Sequence, residues 1–250
     1  MLLGLVGVPV LPPKGLNTSA YLDINQFARQ TAWAHGFMHA YALWLGLVLL
    51  AALFVVTYVT CWWVRAARAC AWLVLGGIGT IVALGLNQLV GHAAQELRPY
   101  ATHPQVLVLV GKTNDYAFPS DHAVVAGALV ASILGALVVA RRTRPGTPAA
   151  LPPARPSTGF SVLLGVVTVI LALFLSFARI YVGAHYPGDV VAGLLLGGVV
   201  VGVVSLLRPV AYWITEQLEP TLLGALVRRP AIGQAQNPAA IGVRQRTPAS

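Results

Sequence analysis

The chain is 250 residues long, 57% hydrophobic and only 9% charged, with a formal net charge of +9 and a mean hydropathy of +0.76. Soluble domains carry about 25% charged residues, so soluble globular, disordered and disulfide-framework classes are excluded, and unbroken apolar runs exclude the alternating strands of a membrane barrel. A helical integral membrane protein remains, and its positive charge reads as cytoplasmic loop residues rather than a nucleic-acid interface.

Residues 1–13 are apolar but hold three prolines and no basic n-region, which gives little support to a cleaved signal peptide. Residues 24–33 carry apolar positions at helical spacing together with Arg29 and Trp33, the pattern of an interfacial helix lying on a membrane. Five charge-free apolar segments follow, over residues 40–64, 69–91, 123–140, 159–178 and 190–207. Each suits the roughly 20 residues that a bilayer core requires, and each must be helical because lipid offers the backbone no hydrogen-bond partner. Cys61 and Cys70 flank Arg65 and Arg68 and read as small core residues, not as a framework or a metal site. Residues 141–158 form a Pro-, Ala- and Arg-rich linker. Residues 212–227 suggest a surface helix, and the tail beyond 230 reads as disordered. The expected organisation is an N-terminal segment over 1–39, a membrane domain over 40–207 and a cytoplasmic tail over 208–250.

Eleven of the sixteen basic residues fall between spans one and two, between three and four, or after span five. That side is expected to face the cytoplasm. The opposite face holds all six histidines and five of the seven acids, and charge gathered at a membrane boundary marks function. The expected location is the cytoplasmic (inner) membrane, with the functional face on its outer side.

Three stretches carry the polar chemistry: Glu96 to Tyr100 after span two, Phe118 to His122 at the start of span three, and Ala178 to Asp189 between spans four and five. The topology puts all three at one depth on one side. Arg98 and Arg179 are forks suited to phosphate oxygens. Ser120 or Asp121 is placed to cap span three, whose N-terminus favours anions. Asp189 lies four residues after His185, so a helical turn brings carboxylate and imidazole together. Such a carboxylate fixes the tautomer of a nucleophilic ring, and His122 is left as proton donor to a leaving oxygen. Taken singly, an arginine here is an anchor, a histidine is structural and Pro-Ser-Asp is a cap. Their convergence points to a metal-free phosphoryl-transfer site. Asn87 and Gln88 read as interhelical glue.

In order and spacing these motifs resemble the type 2 phosphatidic acid phosphatase superfamily, the lipid phosphate phosphatases related to vanadium haloperoxidases. The matching residues are Arg98-Pro99, then Pro119-Ser120-Asp121-His122, then Arg179 with His185 six and Asp189 ten positions later. Asp121 within the second motif resembles the bacterial branch that dephosphorylates undecaprenyl diphosphate. The resemblance implies that His185 attacks phosphorus to give a phosphohistidine. It further implies that Asp189 orients His185, that His122 protonates the leaving group, and that Arg98, Arg179 and Ser120 hold the phosphoryl group. Three positions depart from the family pattern. Gly91 stands where a phosphate-binding lysine is expected, with Lys112 as the surrogate and His92 as a weaker one. Ala178 replaces a serine. Asp121 replaces a glycine and adds negative charge near the phosphate.

The sequence therefore leads to an all-α membrane protein of about five transmembrane helices plus an interfacial helix. Its expected function is metal-independent hydrolysis of a polyprenyl diphosphate or related lipid phosphate. No cofactor is expected, since one carboxylate orienter and one cap Asp make no cage for a hard cation. Rival readings are a phosphatidic acid, phosphatidylglycerol phosphate or polyprenyl-phosphate sugar phosphatase, and a non-catalytic lipid-phosphate-binding or transport protein.

Overall fold

The computed structural model describes residues 15–142, 156–218, 221 and 223–227. The expectations for residues 1–13, for most of the 141–158 linker and for the tail beyond 230 lie outside them. Among the described residues all regular structure is helical, and five helices are long and apolar enough to cross a membrane.

The first helix, α1 (Leu16–Gln30), begins well before the residue-24 start expected from its sequence. It does not simply rest on a membrane surface. Tyr21, Asn25 and Ala28, at helical spacing, are buried against the bundle. Asn25 Nδ2 donates to the Leu107 carbonyl at 2.7 Å, and the Leu107 N–H donates back to Asn25 Oδ1 at 3.0 Å. A polar residue with two backbone partners can be buried at little cost.

A short turn leads into α2 (His35–Ala40), a π-helical turn (Tyr41–Leu45) and α3 (Gly46–Trp63), which together form the first span. Then come α4 (Ala67–Ala94), a short α5 (Pro99–Thr102), α6 (Asp121–Arg142), α7 (Thr158–Tyr181) and α8 (Pro187–Val204). The expected surface helix over 212–227 divides into α9 (Arg208–Leu218) and α10 (Gly224–Val227).

Local chemistry sets the helix ends. Gln95 takes a left-handed conformation (φ 51°) and its N–H returns to Gly91, closing α4. Ser157 Oγ accepts from the Phe160 N–H at 3.2 Å and caps α7. In α6, Asp121 lies in the first turn and Arg141 and Arg142 in the last, the arrangement the helix dipole favours.

Helix α6 is the centre of the bundle and packs on α8, α4, α7 and α3. Lipid supplies no hydrophobic drive between helices, so close backbone approach matters. A Cβ on Gly127 would clash with the Leu194 carbonyl oxygen, and one on Gly197 would clash with that of Val124. These two glycines let α6 and α8 touch along their backbones. The contact fixes the N-termini of both helices, with Ser120 and Asp189, side by side.

Candidate active site

The three polar stretches meet at one end of the bundle, around a cavity of about 230 Å³ lined by Arg98, Asp115, Tyr116, His122, Arg179 and His185, among others. Arg98 follows α4, His122 opens α6, Arg179 closes α7 and His185 precedes α8. The α6–α8 contact and the short connection from α7 to α8 bring them together. A cis peptide joins Phe118 to Pro119 at the entry to α6.

His185 is 2% exposed. Its Nδ1 is 2.8 Å from the Ala117 carbonyl oxygen. A carbonyl only accepts, so Nδ1 carries the proton and Nε2 presents a lone pair. That lone pair accepts from Arg98 Nη1 at 3.3 Å and from Arg179 Nη2 at 3.2 Å. Burial, then the charges of Arg179 and Arg98, hold the imidazole well below its ordinary value of 6.5, against the opposing pull of the Ala117 carbonyl. The ring is neutral, with its basic nitrogen aimed between two guanidiniums.

Asp189 is fully buried, with Oδ2 3.4 Å from His185 Nδ1. The same oxygen accepts from the Tyr186 N–H at 2.8 Å, the acidic half of a capping box. The expected carboxylate–imidazole neighbours are thus in place, but the shortest hydrogen bond to Nδ1 comes from a backbone carbonyl that carries no signal in the sequence. The Asp189 carbonyl also accepts from the Ser120 N–H at 3.1 Å, tying the second motif to the third.

Arg179 is almost fully buried, and its Nη1 donates to the Ala42 carbonyl at 3.3 Å. His122 Nε2 donates to the neighbouring Leu43 carbonyl at 3.1 Å. Both carbonyls belong to the π-helical turn of the first span. Such a turn breaks the regular helical bonding pattern, and it often marks a functional site. Here it positions one arginine and one histidine of the cavity.

Arg98 is anchored from behind. Asp115 accepts from its Nε at 2.8 Å and from its Nη2 at 2.9 Å, a bidentate pair. This leaves Nη1 for the Ala184 carbonyl at 3.1 Å and for His185. Partial burial would raise the Asp115 carboxyl, but hydrogen bonds from Arg98 and Thr113 outweigh it and hold the group below its ordinary range. Asp115 is 59% exposed, so solvent screens the pair and limits its worth. Asp115→Asn is expected to lower kcat/KM about tenfold, mostly through KM, the equivalent of one charge-assisted hydrogen bond. Initial rates check this, and an unchanged KM would show that Arg98 holds its position unaided.

The remaining expected residues are placed differently. Ser120 is fully buried, is not among the residues lining the cavity, and its Oγ has no hydrogen-bond partner. It therefore does not cap α6 through its side chain. Lys112 Nζ lies 5.9 Å from the centroid of the Tyr100 ring and is likewise absent from the lining. His92 Nδ1 donates to the Gln88 carbonyl at 2.7 Å, and its ring meets Tyr116 edge-on. A Cβ on Gly91 would stand 3.2 Å from the Phe118 carbonyl oxygen, so a larger side chain there would crowd the peptide leading into the second motif. Asp121 Oδ1 accepts from Asn87 at 2.6 Å and Gln88 at 2.9 Å, which makes these two residues the interhelical glue expected of them. No group of three or more His, Cys, Asp or Glu placed to hold a metal ion occurs among the described residues.

Two guanidiniums around a neutral, buried imidazole can bind a tetrahedral anion and attack it. Comparison with known proteins bears on this geometry. The sequence profile of the PAP2 superfamily matches residues 42–213. A protein of Bacillus licheniformis named bacitracin transport permease protein BcrC is 28% identical over 73% of this chain and 75% of its own. The undecaprenyl-diphosphatase BcrC of Bacillus subtilis is 30% identical over 62% of this chain and 68% of its own. Among solved structures, a transmembrane PAP2-type phosphatidylglycerolphosphate phosphatase from Bacillus subtilis aligns with a TM-score of 0.53 at 16% identity, covering 77% of this chain and 86% of that one.

Proposed function

The chain belongs to the PAP2 superfamily and is a membrane lipid phosphatase, and from that premise we propose that it releases the terminal phosphate of a polyprenyl diphosphate through a phosphohistidine on His185. The observation that carries the reading is the lone pair of His185 Nε2, held between Arg98 Nη1 and Arg179 Nη2. Similarity to an undecaprenyl-diphosphatase supports the substrate class.

In the first step Nε2 forms a bond to phosphorus and the bond from phosphorus to the bridging oxygen breaks. His122 acts as its imidazolium: with Nε2–H on the Leu43 carbonyl, the proton on Nδ1 passes to the bridging oxygen and leaves the ring neutral for the second step. Arg98 and Arg179 stabilise the charge on the oxygens of the transferring group. Asp189 and the Ala117 carbonyl steady the proton on Nδ1 as the ring becomes cationic. In the second step water gives a proton to His122 and attacks phosphorus, the P–N bond breaks, and inorganic phosphate leaves. Ser120 supports the site through its backbone link to Asp189. Lys112 adds positive charge at the rim, so Lys112→Ala is expected to raise KM a few-fold, and unchanged kinetics would remove it from the account. The cavity end faces the outer side of the cytoplasmic membrane, in keeping with the basic residues at the other end. A lipid tail then lies among the spans while its headgroup enters the cavity.

The test is phosphate release by the purified protein in excess chelator. Undecaprenyl diphosphate, phosphatidic acid and phosphatidylglycerol phosphate are compared side by side. The diphosphate is expected to give the highest kcat/KM. A preference for either phospholipid would replace the substrate, and release only with added magnesium would contradict the mechanism.

A further inference from the structure

The end of the bundle opposite the catalytic cavity holds a second polar cavity, of about 440 Å³, lined by Arg68, Trp72, Leu134, Arg142, Arg208 and Tyr212, among others. Arg68 opens α4, Arg142 closes α6 and Arg208 opens α9. Arg68 is paired with Glu216 at 3.1 Å and lies 5.5 Å from the centroid of the Tyr212 ring. Among the described residues Glu216 is the sole carboxylate at this end, and neither Arg142 nor Arg208 pairs with a described carboxylate. Residues 143–155 and 228–250 contain no Asp or Glu, and Glu219, the one further carboxylate on this side, lies outside the described residues. The cavity has a firm floor. Trp72 Nε1 donates to the Ser132 carbonyl at 3.1 Å, and its ring occupies the space that a Cβ on Gly135 would need. Leu134 and Val138 complete its wall and are 36% and 46% exposed. They also line an apolar groove between α6 and α7 on the other flank of α6.

We propose that this cavity binds the headgroup of an anionic phospholipid, with phosphate among Arg68, Arg142 and Arg208 and acyl chains along Leu134 and Val138. Three chemical features point to a lipid. Guanidiniums from three helices make a fork for phosphate oxygens. The N-terminus of α4 adds its partial positive charge. The apolar wall continues into the membrane, where a free anion gains nothing but a lipid gains acyl contacts. Basic pockets between transmembrane helices suit such headgroups. The site is separate from the proposed catalysis and stands whatever the substrate is.

The test measures thermal unfolding of the full-length protein in a neutral detergent, with dioleoylphosphatidylglycerol, dioleoylphosphatidylcholine or water-soluble glycerol phosphate added. Phosphatidylglycerol is expected to raise Tm by about 4 °C above phosphatidylcholine, and glycerol phosphate is expected to do nothing. Arg142→Gln and Arg208→Gln should each halve the increment and together remove it. Arg29→Gln, which takes a charge from the opposite end of the bundle, should leave it intact. Phosphate release by these variants in phosphatidylcholine should match wild type. Should the double variant fail to fold, brominated phosphatidylglycerol is used on the wild type and on Trp72→Phe. It should quench more tryptophan fluorescence than brominated phosphatidylcholine, and the excess should vanish in Trp72→Phe. Equal shifts with both lipids, a full shift with glycerol phosphate, an increment that survives the double variant, or no selective quenching would each overturn the proposal.

Discussion

His185→Ala is expected to lower phosphate release by at least about 10⁴-fold, equivalent to roughly 5.5 kcal/mol of transition-state stabilisation. The size follows from the role. A nucleophile that is removed leaves only binding and electrostatics, so the double displacement cannot begin. His185→Gln is the companion variant, because it fills much of the buried space and limits the effect on packing. Both are expected to keep lipid binding, since Arg98 retains Asp115 and the Ala184 carbonyl, and Arg179 retains the Ala42 carbonyl. Initial rates and a lipid-binding isotherm check the two halves. The pH dependence is fixed in sign by the depressed imidazole. The folded protein keeps His185 neutral below 6.5, where the unfolded chain takes up a proton. The contribution of this group to stability is therefore complete above 6.5 and declines as pH falls toward the depressed folded value. Nucleophile activity should likewise persist below 6.5.

Arg179→Lys is expected to lower kcat by about 10²–10³-fold, with a smaller change in KM, as for removal of an oriented donor to a developing oxyanion. The exchange keeps the charge and loses the fork. One terminal nitrogen of Arg179 meets His185 Nε2 and the other meets the Ala42 carbonyl, while its buried Nε has no partner. An ammonium cannot serve these directions at once. Arg98→Lys should cost less, because Arg98 is more exposed and spends two of its nitrogens on Asp115. Steady-state kinetics of the two variants check the order. A loss at Arg98 larger than that at Arg179 would reverse the assignment of the two clamps.

Much of this arrangement was legible in the sequence, for reasons that differ by residue. Charge-free apolar runs gave the five spans because the bilayer admits few alternatives. The spacing from Arg179 to His185 and Asp189 gave the third motif through its resemblance to the family pattern, whereas the helical turn expected between His185 and Asp189 is replaced by a tight turn that ends at the extended N-cap residue Tyr186. Asp115 was not legible. It sits in the irregular stretch between α5 and α6, where no periodicity relates a residue to its partner, and its hold on Arg98 spans seventeen positions. The carbonyls of Ala117, Leu43 and Ala42 were less legible still, because every residue has one and only the fold selects which faces the site. The start of α1 was misplaced because the stretch from Leu16 onward is polar on average, and only docking on the bundle picks out its buried face of Tyr21, Ile24, Asn25 and Ala28. Ser120 and Lys112 share the motifs' neighbourhood in sequence, yet neither lines the cavity.

The central claim is a covalent intermediate on one named nitrogen. The most direct measurement quenches the protein in alkali during turnover of undecaprenyl diphosphate and maps bound phosphate by mass spectrometry, since phosphoramidate bonds survive base. The account predicts one phosphorylated residue, His185, with the signal lost in His185→Ala and prolonged in His122→Ala. Steady turnover with no phosphate on the protein, or with phosphate on any other residue, would contradict it.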